Sequence, residues 1–319
     1  MSCLGPACVL LLSLPAVPPA DDFERGLEAL QKGDYALAVT CFDAYIRENP
    51  LRAKAYYCRG VAHARRKEAD KAIEDFTEAI RLLPVYGPAF LERGFAYLGK
   101  RQYDKAIKDF DEAIRLVPKE EKAYGGRALT YLAKGEDGKA IKDFDEAIRL
   151  GQRDPGTYTL RGDARLASGD RDGALADYEA AIRQDPKSES ALLGKGGVYQ
   201  LKREYGKALA AYAQAARVAP KSPWGHANLA WLLATCPDAA VRDGKRAVEQ
   251  ARRACELSGW KEPFFQEALA AAYAECGDFE KALEWQKKAI KLTLDDKAGL
   301  EAARVRLQWY ERKLPLRSK

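Results

Sequence analysis

The residue types that enzymes most often use for chemistry are scarce in this sequence. Its 319 residues include only two histidines and one methionine, and its seven cysteines form neither a CxxC pair nor a cluster with histidine. An odd number of cysteines without such spacing argues against a disulfide framework and against a zinc site. The HExxH, GxSxG, P-loop and GxGxxG motifs are absent as well. We therefore expect no catalytic residue, no metal site and no cofactor.

Charge of one sign and long apolar runs are also lacking. Lys and Arg total 53, Asp and Glu total 47, and the two signs alternate along the chain, so the excess of six is mild. A nucleic-acid reader would concentrate its basic residues on one face or arm, so we do not expect a nucleic-acid partner. With 25 glycines and 15 prolines, the chain is neither collagen-like nor of low complexity. No apolar run is long enough to span a bilayer.

The first twenty residues have the order of a secretory signal. An apolar run from Cys8 to Leu14 precedes a proline and small residues near Ala16 or Ala20, although no Lys or Arg comes before it. We expect export to the periplasm or cell envelope, with mature folding from about Asp21. A cytoplasmic location is the alternative.

Alanine and a fixed period are what the sequence has in abundance. Ala occupies 55 of the 319 positions, which favours helix because Ala loses no side-chain entropy there. Prolines recur at spacings of 34 residues, or twice 34, at Pro50, Pro84, Pro118, Pro186 and Pro220. Gln152 holds the skipped position. The register therefore runs from about residue 19 to residue 222, which gives six units.

Each unit contains two stretches whose buried faces follow the same period. In the second stretch, a small residue is followed four positions later by an aromatic residue and, in most units, three further on by another small residue. The aromatic positions are Phe42, Phe76, Phe110, Phe144, Tyr178 and Tyr212. Offsets of 0, 4 and 7 fall on one face of an α-helix. An upstream pattern with the same offsets, such as Tyr56, Gly60 and His63, predicts a second helix, so each unit is an antiparallel helix pair.

The pattern YxxRGxAY…AIxDFxxAIRLxP, which runs from Tyr56 to Pro84 and again from Phe90 to Pro118, resembles the prokaryotic form of the tetratricopeptide repeat. The resemblance covers nearly the whole chain after the leader. It implies an all-α fold, namely a right-handed α-solenoid of about eight helix–turn–helix units with a C-terminal capping helix. It also implies that the first helices line a concave surface on which ligands commonly lie.

The period also predicts how the chain is divided. Residues 1–20 form a leader, residues 21–222 form six regular units, and residues 223–296 form two further units, the first with an insertion at 234–244. Residues 297–319 form a capping helix and a basic tail. The apolar residues of this helix are Leu300, Ala303, Leu307 and Tyr310. A repeat array needs such a cap with one polar face.

An arginine on the first helix and an aspartate on the second helix recur 16 residues apart in four units. These residues are Arg59 and Asp75, Arg93 and Asp109, Arg127 and Asp143, and Arg161 and Asp177. In the next unit Lys195 faces Ala211, so both positions change together. We interpret the residues as structural ion pairs that fix the register of each helix pair. An anion or peptide clamp is the functional alternative.

One stripe beside the core face is more apolar than a water-facing surface requires, which predicts a ligand groove. The stripe comprises Tyr57, Val61, Leu91, Phe95, Leu98, Gly125, Leu129, Leu132, Thr159, Asp163, Leu166, Leu193 and Gly197. At its margins, Lys54, Arg65, Lys122 and Asp163 would orient a ligand. Some relatives hold a terminal carboxylate with Lys and Asn on this surface, but these positions carry other residue types here, so acidic chaperone tails are not expected partners.

Glycines inside the first helices are unexpected, because each costs roughly 1 kcal/mol relative to Ala. We hypothesise that Gly125 and Gly197 open pockets for bulky ligand side chains. A soft sixth unit, with Gly194, Gly196 and Gly197 in one helix, is the competing interpretation.

Together these patterns predict a non-enzymatic scaffold that binds a peptide or partner helix in the groove, with apolar stripe residues supplying the energy. The sequence does not identify the partner. The alternative is a structural or assembly protein of the cell envelope that acts by self-association.

Overall fold

The computed structural model describes residues 19–293 and 297–318. The predicted leader lies outside this range except for its last two residues. The described residues form seventeen helices and no strand, which confirms the all-α prediction. In chain order they are α1 (Pro19–Lys32), α2 (Tyr35–Glu48), α3 (Ala53–Arg65), α4 (Ala69–Leu82), α5 (Gly87–Gly99), α6 (Tyr103–Leu116), α7 (Glu121–Ala133), α8 (Asp137–Leu150), α9 (Pro155–Ala167), α10 (Arg171–Gln184), α11 (Glu189–Leu201), α12 (Tyr205–Val218), α13 (Pro223–Thr235), α14 (Gly244–Leu257), α15 (Pro263–Glu275), α16 (Phe279–Leu292) and α17 (Lys297–Glu311).

The short turns inside the helix pairs contain a left-handed residue, whereas the longer loop between α13 and α14 has none. Gly33, Gly169 and Gly277 take this role with φ between 78° and 87°. Lys67 and Arg101 adopt the same conformation at the equivalent positions, with φ of 64° and 57°. A glycine is therefore favoured at this turn, since it has no Cβ penalty there, but a long side chain is tolerated.

The chain divides into two compact units, and the first ends at Lys134. It contains α1 to α7, in which α1 packs on α2, α3 on α4 and α5 on α6. Phe42, Phe76 and Phe110 are completely buried between the helices of their pairs. The small residues beside them are buried too, so the periodic small–aromatic pattern forms the core of this unit.

The second unit starts at Gly135 and contains α8 to α17. Here α9 packs on α10, α11 on α12, α13 on α14 and α15 on α16. Tyr178 is completely buried in this unit. The predicted capping helix is α17, which packs on α16 and buries Ala303 and Tyr310.

The eighth helix pair departs from the pattern at its aromatic position. Gln286 occupies that position and is completely buried, while Trp285 lies one residue earlier. The Gln286 amide donates to the carbonyl oxygen of Ala303 at 3.1 Å. A side chain that would elsewhere fill the core thus ties the capping helix to the last pair.

No described helix is long and apolar enough to cross a membrane. Within the described residues, no group of three or more His, Cys, Asp or Glu side chains is placed to hold a metal ion.

Candidate functional site

The residues predicted to line a groove lie on the first helices of the pairs and fall into both units. In the first unit, α3 carries Tyr57 and Val61, α5 carries Leu91, Phe95 and Leu98, and α7 carries Gly125, Leu129 and Leu132. In the second unit, α9 carries Thr159, Asp163 and Leu166, and α11 carries Leu193 and Gly197.

The arginine and aspartate of each helix pair meet in the first unit. Arg93 donates from Nε to Asp109 Oδ2 at 2.7 Å and from Nη2 to Oδ1 at 2.8 Å, which is a two-point contact. Arg59 contacts Asp75 in the same way, with its shortest hydrogen bond at 2.6 Å. Both aspartates are only 5% exposed. Such geometry fixes the two helices relative to each other.

The second unit repeats the contact. Arg161 donates to Asp177 from Nη2 at 2.5 Å and from Nε at 3.0 Å, and Asp177 is 2% exposed. Arg165 adds a further hydrogen bond to Asp177 at 2.8 Å. Arg127 and Asp143 belong to different units, so their pairing stays a prediction.

Each arginine also contacts a residue 16 positions earlier, on the preceding second helix. Arg59 donates to Asp43 at 2.6 Å, Arg93 to Thr77 at 3.0 Å, Arg127 to Asp111 at 2.5 Å and Arg161 to Asp145 at 2.6 Å. Lys195 forms the matching ion pair with Glu179 at 3.0 Å. Sequence reasoning missed this second partner, although an acidic or hydroxyl residue recurs every 34 positions. The side chain therefore links successive pairs as well as the two helices of one pair.

Burial sets the electrostatics of these pairs. It raises the pKa of Asp75 and Asp109, and the guanidinium groups of Arg59 and Arg93 oppose that rise. The guanidinium donors of Arg59 and Arg93 are already bonded to these aspartates and to the preceding helix, so the pairs offer little to an external anion.

Tyr57 and Leu91 line one pocket of about 210 Å³ in the first unit. The Tyr57 ring lies 5.9 Å from the Phe76 ring and 5.1 Å from the Tyr86 ring, measured between centroids. Burial raises the pKa of the Tyr57 phenol. The remaining wall comes from the start of α5, the end of α6 and the start of α7, with Gly87, Pro88, Glu92, Ala113, Val117, Glu120 and Lys122.

Glu92 gives this pocket its chemistry. Among the described residues it makes no hydrogen bond and no ion pair, although it is partly buried. Burial raises the pKa of its carboxyl group, Glu120 adds to that rise, and Arg65 and Lys122 oppose it. Since no protein donor bonds to this carboxylate, it is available to a hydrogen-bond donor on a ligand.

Sequence reasoning missed Glu92 because it stands one residue outside the apolar stripe. The equivalent positions in the other regular units carry Glu24, Cys58, Gly126, Leu160 and Gly194. Glu24 and Glu92 are the two charged residues in this set of six, and Glu92 is the one that lines the pocket described above. Comparing the units position by position would have found it.

The other stripe residues of the first unit serve packing to differing degrees. Leu91 is 8% exposed and belongs to a core cluster with Phe90 and Phe110, against which Leu98 also packs. The Phe95 ring meets the Phe110 ring edge-on at 5.1 Å. Val61, Leu129 and Leu132 remain partly exposed, and Gly125 is buried. Lys54, at the predicted margin, lies 5.6 Å above the Phe23 ring.

In the second unit two of the polar stripe residues already have partners. Thr159 is buried and donates to the carbonyl oxygen of Pro155 at 2.8 Å. Asp163 accepts a hydrogen bond of 2.6 Å from the hydroxyl of Tyr178. This partner explains why tyrosine replaces phenylalanine at the aromatic position in that pair. Leu166 and Leu193 pack against core clusters of the same unit.

Aromatic rings explain most of the glycines in the first helices. A Cβ atom on Gly126 would lie 2.6 Å from the Phe110 ring, and one on Gly194 would lie 2.5 Å from the Tyr178 ring. Gly196 faces the Tyr212 ring with even less room. Gly197 differs, because a Cβ there would meet only the Tyr212 hydroxyl, at 3.8 Å. Of the glycines in α11, Gly197 is therefore the one with space beside it.

The histidines have structural partners. His63 is 7% exposed, and its Nδ1 lies 2.7 Å from Glu68 Oε2. The Nδ1 of His226 lies 2.7 Å from Gln250 Oε1.

Comparison with known proteins identifies the repeat. A family model described as tetratricopeptide repeat matches residues 23–86, 91–155 and 159–223, and a second model with the same description matches residues 266–296. The chain belongs to the tetratricopeptide repeat family. This result confirms the resemblance found in the sequence, and with the stacked helix pairs it gives the fold of a protein-interaction scaffold.

Solved tetratricopeptide repeat structures share this fold. YrrB, described as a TPR protein with an unusual peptide-binding site, is 22% identical, and the alignment covers 58% of this chain and 95% of YrrB with a TM-score of 0.52. The Cut9–Hcn1 hetero-tetramer of the APC/C aligns over 89% of this chain and 54% of that chain, with 16% identity and a TM-score of 0.60. PilF of Pseudomonas aeruginosa aligns over 64% of this chain and 93% of that chain, with 18% identity and a TM-score of 0.57. No curated protein matches the chain significantly.

Proposed function

We propose that this tetratricopeptide repeat protein is a non-enzymatic scaffold that binds a partner peptide on the first helices of its pairs, with the Tyr57–Leu91–Glu92 pocket as the principal contact. The pocket carries the proposal, because it joins two apolar residues of the predicted stripe to a carboxylate without a partner. YrrB, whose description names a peptide-binding site, is a precedent on the same fold.

The pocket favours one kind of peptide. The Tyr57 ring and Leu91 offer an apolar wall, so an aliphatic or aromatic side chain of the peptide would lie there. Glu92 accepts hydrogen bonds, so an amide or a basic side chain beside that apolar group would complete the contact. Lys122 and Glu120, at the start of α7, would limit which charged side chains the peptide can carry next to these two groups.

A peptide display library tests this proposal. We expect the full chain to select peptides that share an apolar residue next to a donor. Glu92→Gln should weaken the selected peptides about tenfold, because a hydrogen bond to a charged group contributes about 1.5 kcal/mol or more. Fluorescence anisotropy measures the affinities. Glu74→Gln, the same change at an exposed position of α4, is the matched control and should leave affinity unchanged.

Stability separates a binding defect from a folding defect. Folding raises the pKa of the Glu92 carboxyl group, so the protein loses stability as the pH rises from the unfolded pKa through the folded pKa of that group. Glu92→Gln should therefore not lower the melting temperature at pH 7, and a small rise is expected. Failure to select any peptide, together with a mass that increases with protein concentration, would contradict peptide binding and favour self-association.

We propose further that the protein is exported, on the strength of the apolar leader in residues 1–20. Fractionation of cells that produce the full-length protein tests this directly.

A further inference from the structure

A short segment after the capping helix runs back onto earlier helices of the second unit. Helix α17 ends at Glu311, and Lys313 adopts a left-handed conformation with φ of 52°. The Leu314 amide then donates to the Trp309 carbonyl oxygen at 3.0 Å, and Pro315 follows. This combination stops a helix and reverses the chain. Residues 314–318, which we call the return segment, continue without helical structure.

The return segment contacts the ends of α13 and α15. Leu316 packs against the core cluster that contains Ala230, Leu269 and Tyr273. Arg317 places Nη1 2.7 Å from Glu275 Oε2. The Ser318 amide donates to the carbonyl oxygen of the last α13 residue, Thr235, at 2.8 Å, and the two hydroxyl oxygens lie 2.6 Å apart. Three successive residues thus make an apolar contact, an ion pair and a main-chain hydrogen bond.

The surface under the segment is held in place by other residues. Arg242 donates from Nε to Glu275 Oε1 at 3.0 Å, which leaves the second carboxylate oxygen facing Arg317. Arg242 is itself fixed by hydrogen bonds to the carbonyl oxygens of Cys236 and Pro237, at 2.9 and 3.0 Å. The carbonyl of Thr235 is one of those that a helix leaves free at its end. These acceptors depend on α13, α15 and the loop after α13, not on the return segment.

The segment is held by few contacts. It buries one apolar side chain partly and forms one ion pair and a few hydrogen bonds, whereas ordering five residues carries an entropic cost of similar size. A competing peptide can therefore displace it. Attachment to α17 raises its effective concentration, so the competitor must bind well in its own right.

We propose that the ends of α13 and α15, with Thr235 and Glu275 as the main acceptors, form a binding site for a partner peptide with the order apolar residue, arginine, small hydroxyl residue. The return segment occupies this site within the chain until the partner peptide displaces it. The site is separate from the Tyr57–Leu91–Glu92 pocket and does not depend on it. Its ligand class follows from the residues that now fill it.

A labelled peptide with the sequence of residues 312–318, blocked at both ends, tests the proposal on the full chain. The triple variant Leu316→Gly, Arg317→Gly, Ser318→Gly should bind this peptide at least tenfold more tightly than the unchanged chain, because its own segment no longer competes. The single variant Arg317→Glu, which keeps Leu316, should show the same direction of change if the triple variant folds poorly.

Two matched changes establish that Glu275 is the acceptor. A peptide with glutamate in place of the arginine that corresponds to Arg317 should not bind the triple variant. Adding Glu275→Gln to the triple variant should abolish binding of the original peptide, whereas adding Glu92→Gln should have no effect. The proposal would be overturned by equal binding to the unchanged chain and both variants, or by no binding to either variant. Binding that does not change when the peptide's equivalent of Arg317 is replaced would overturn it as well.

Discussion

At the scale of single residues, Asp109 shows how this family uses a buried charge. Both of its oxygens accept hydrogen bonds from Arg93, and Arg93 also reaches Thr77 on the preceding pair. Asp109→Ala leaves a largely buried guanidinium without its main partner. We expect the free energy of unfolding to fall by about 3 kcal/mol, since removing one member of a buried pair strands the other.

Chemical denaturation at neutral pH measures this change. Asp70→Ala is the control, because the Asp70 side chain is 78% exposed where it meets Lys100 and such surface pairs contribute little. An unchanged midpoint for Asp109→Ala, or an equal loss in both variants, would show that the pair does not hold the helices together.

The sequence predicts one partner of each arginine and misses the other. The spacing of 16 residues between Arg93 and Asp109 places the two side chains on facing helices of one pair, so periodicity alone suggests the contact. The contact with Thr77 depends on how one pair packs on the preceding pair, and that packing is not visible in the period of a single unit. Glu92 was missed because it stands one residue outside the apolar stripe, and the pocket that it lines also involves residues from α3, α6 and the start of α7.

At the scale of helices, α11 contains two adjacent glycines with different surroundings. Gly196 lies against the Tyr212 ring, whereas Gly197 has ordinary contact space. Gly196→Ala should lower the free energy of unfolding by about 1–3 kcal/mol through overpacking. Gly197→Ala should raise it by up to about 1 kcal/mol, since alanine is the better helix former.

Urea denaturation of the two variants compares them within one helix. Losses of equal size would indicate that α11 is uniformly sensitive and that the ring contact is not the cause. A stabilised Gly197→Ala variant would also favour the hypothesis that Gly197 is kept for a ligand, because no packing need would then account for it.

The sequence predicts a helix correctly where the pattern lies within one unit. It does not predict the role of a residue whose contacts come from a helix outside its own pair. The small and aromatic positions predict each helix pair, because the buried faces of its two helices both lie within one repeat of 34 residues. The rings that face Gly194 and Gly196 come from other helices, so the sequence of α11 alone does not distinguish glycines required by packing from a soft unit. Gln286 and the return segment are similar, since their partners lie on α17 and on α13 and α15.

At the scale of the whole molecule, repetition explains why the fold could be predicted so far. One helix pair cannot bury its apolar face alone. That face must therefore pack against another helix pair with the same pattern. The seventeen helices of the described residues, the last of which is the capping helix, follow from that rule. The partner does not follow from it, because recognition depends on the few positions at which the units differ, such as Glu92.

The location of bound peptide is the most direct test of peptide binding at the Tyr57–Leu91–Glu92 pocket. Hydrogen exchange of the full chain, measured with and without a peptide selected from the display library, reports which helices the peptide protects. At a peptide concentration equal to the dissociation constant of the unchanged chain, we predict slower exchange in α3 and at the start of α5, with no change in α4. Protection should be much weaker in Glu92→Gln at the same concentration. Protection confined to the second helices, or a pattern that Glu92→Gln leaves unchanged, would contradict peptide binding at the Tyr57–Leu91–Glu92 pocket.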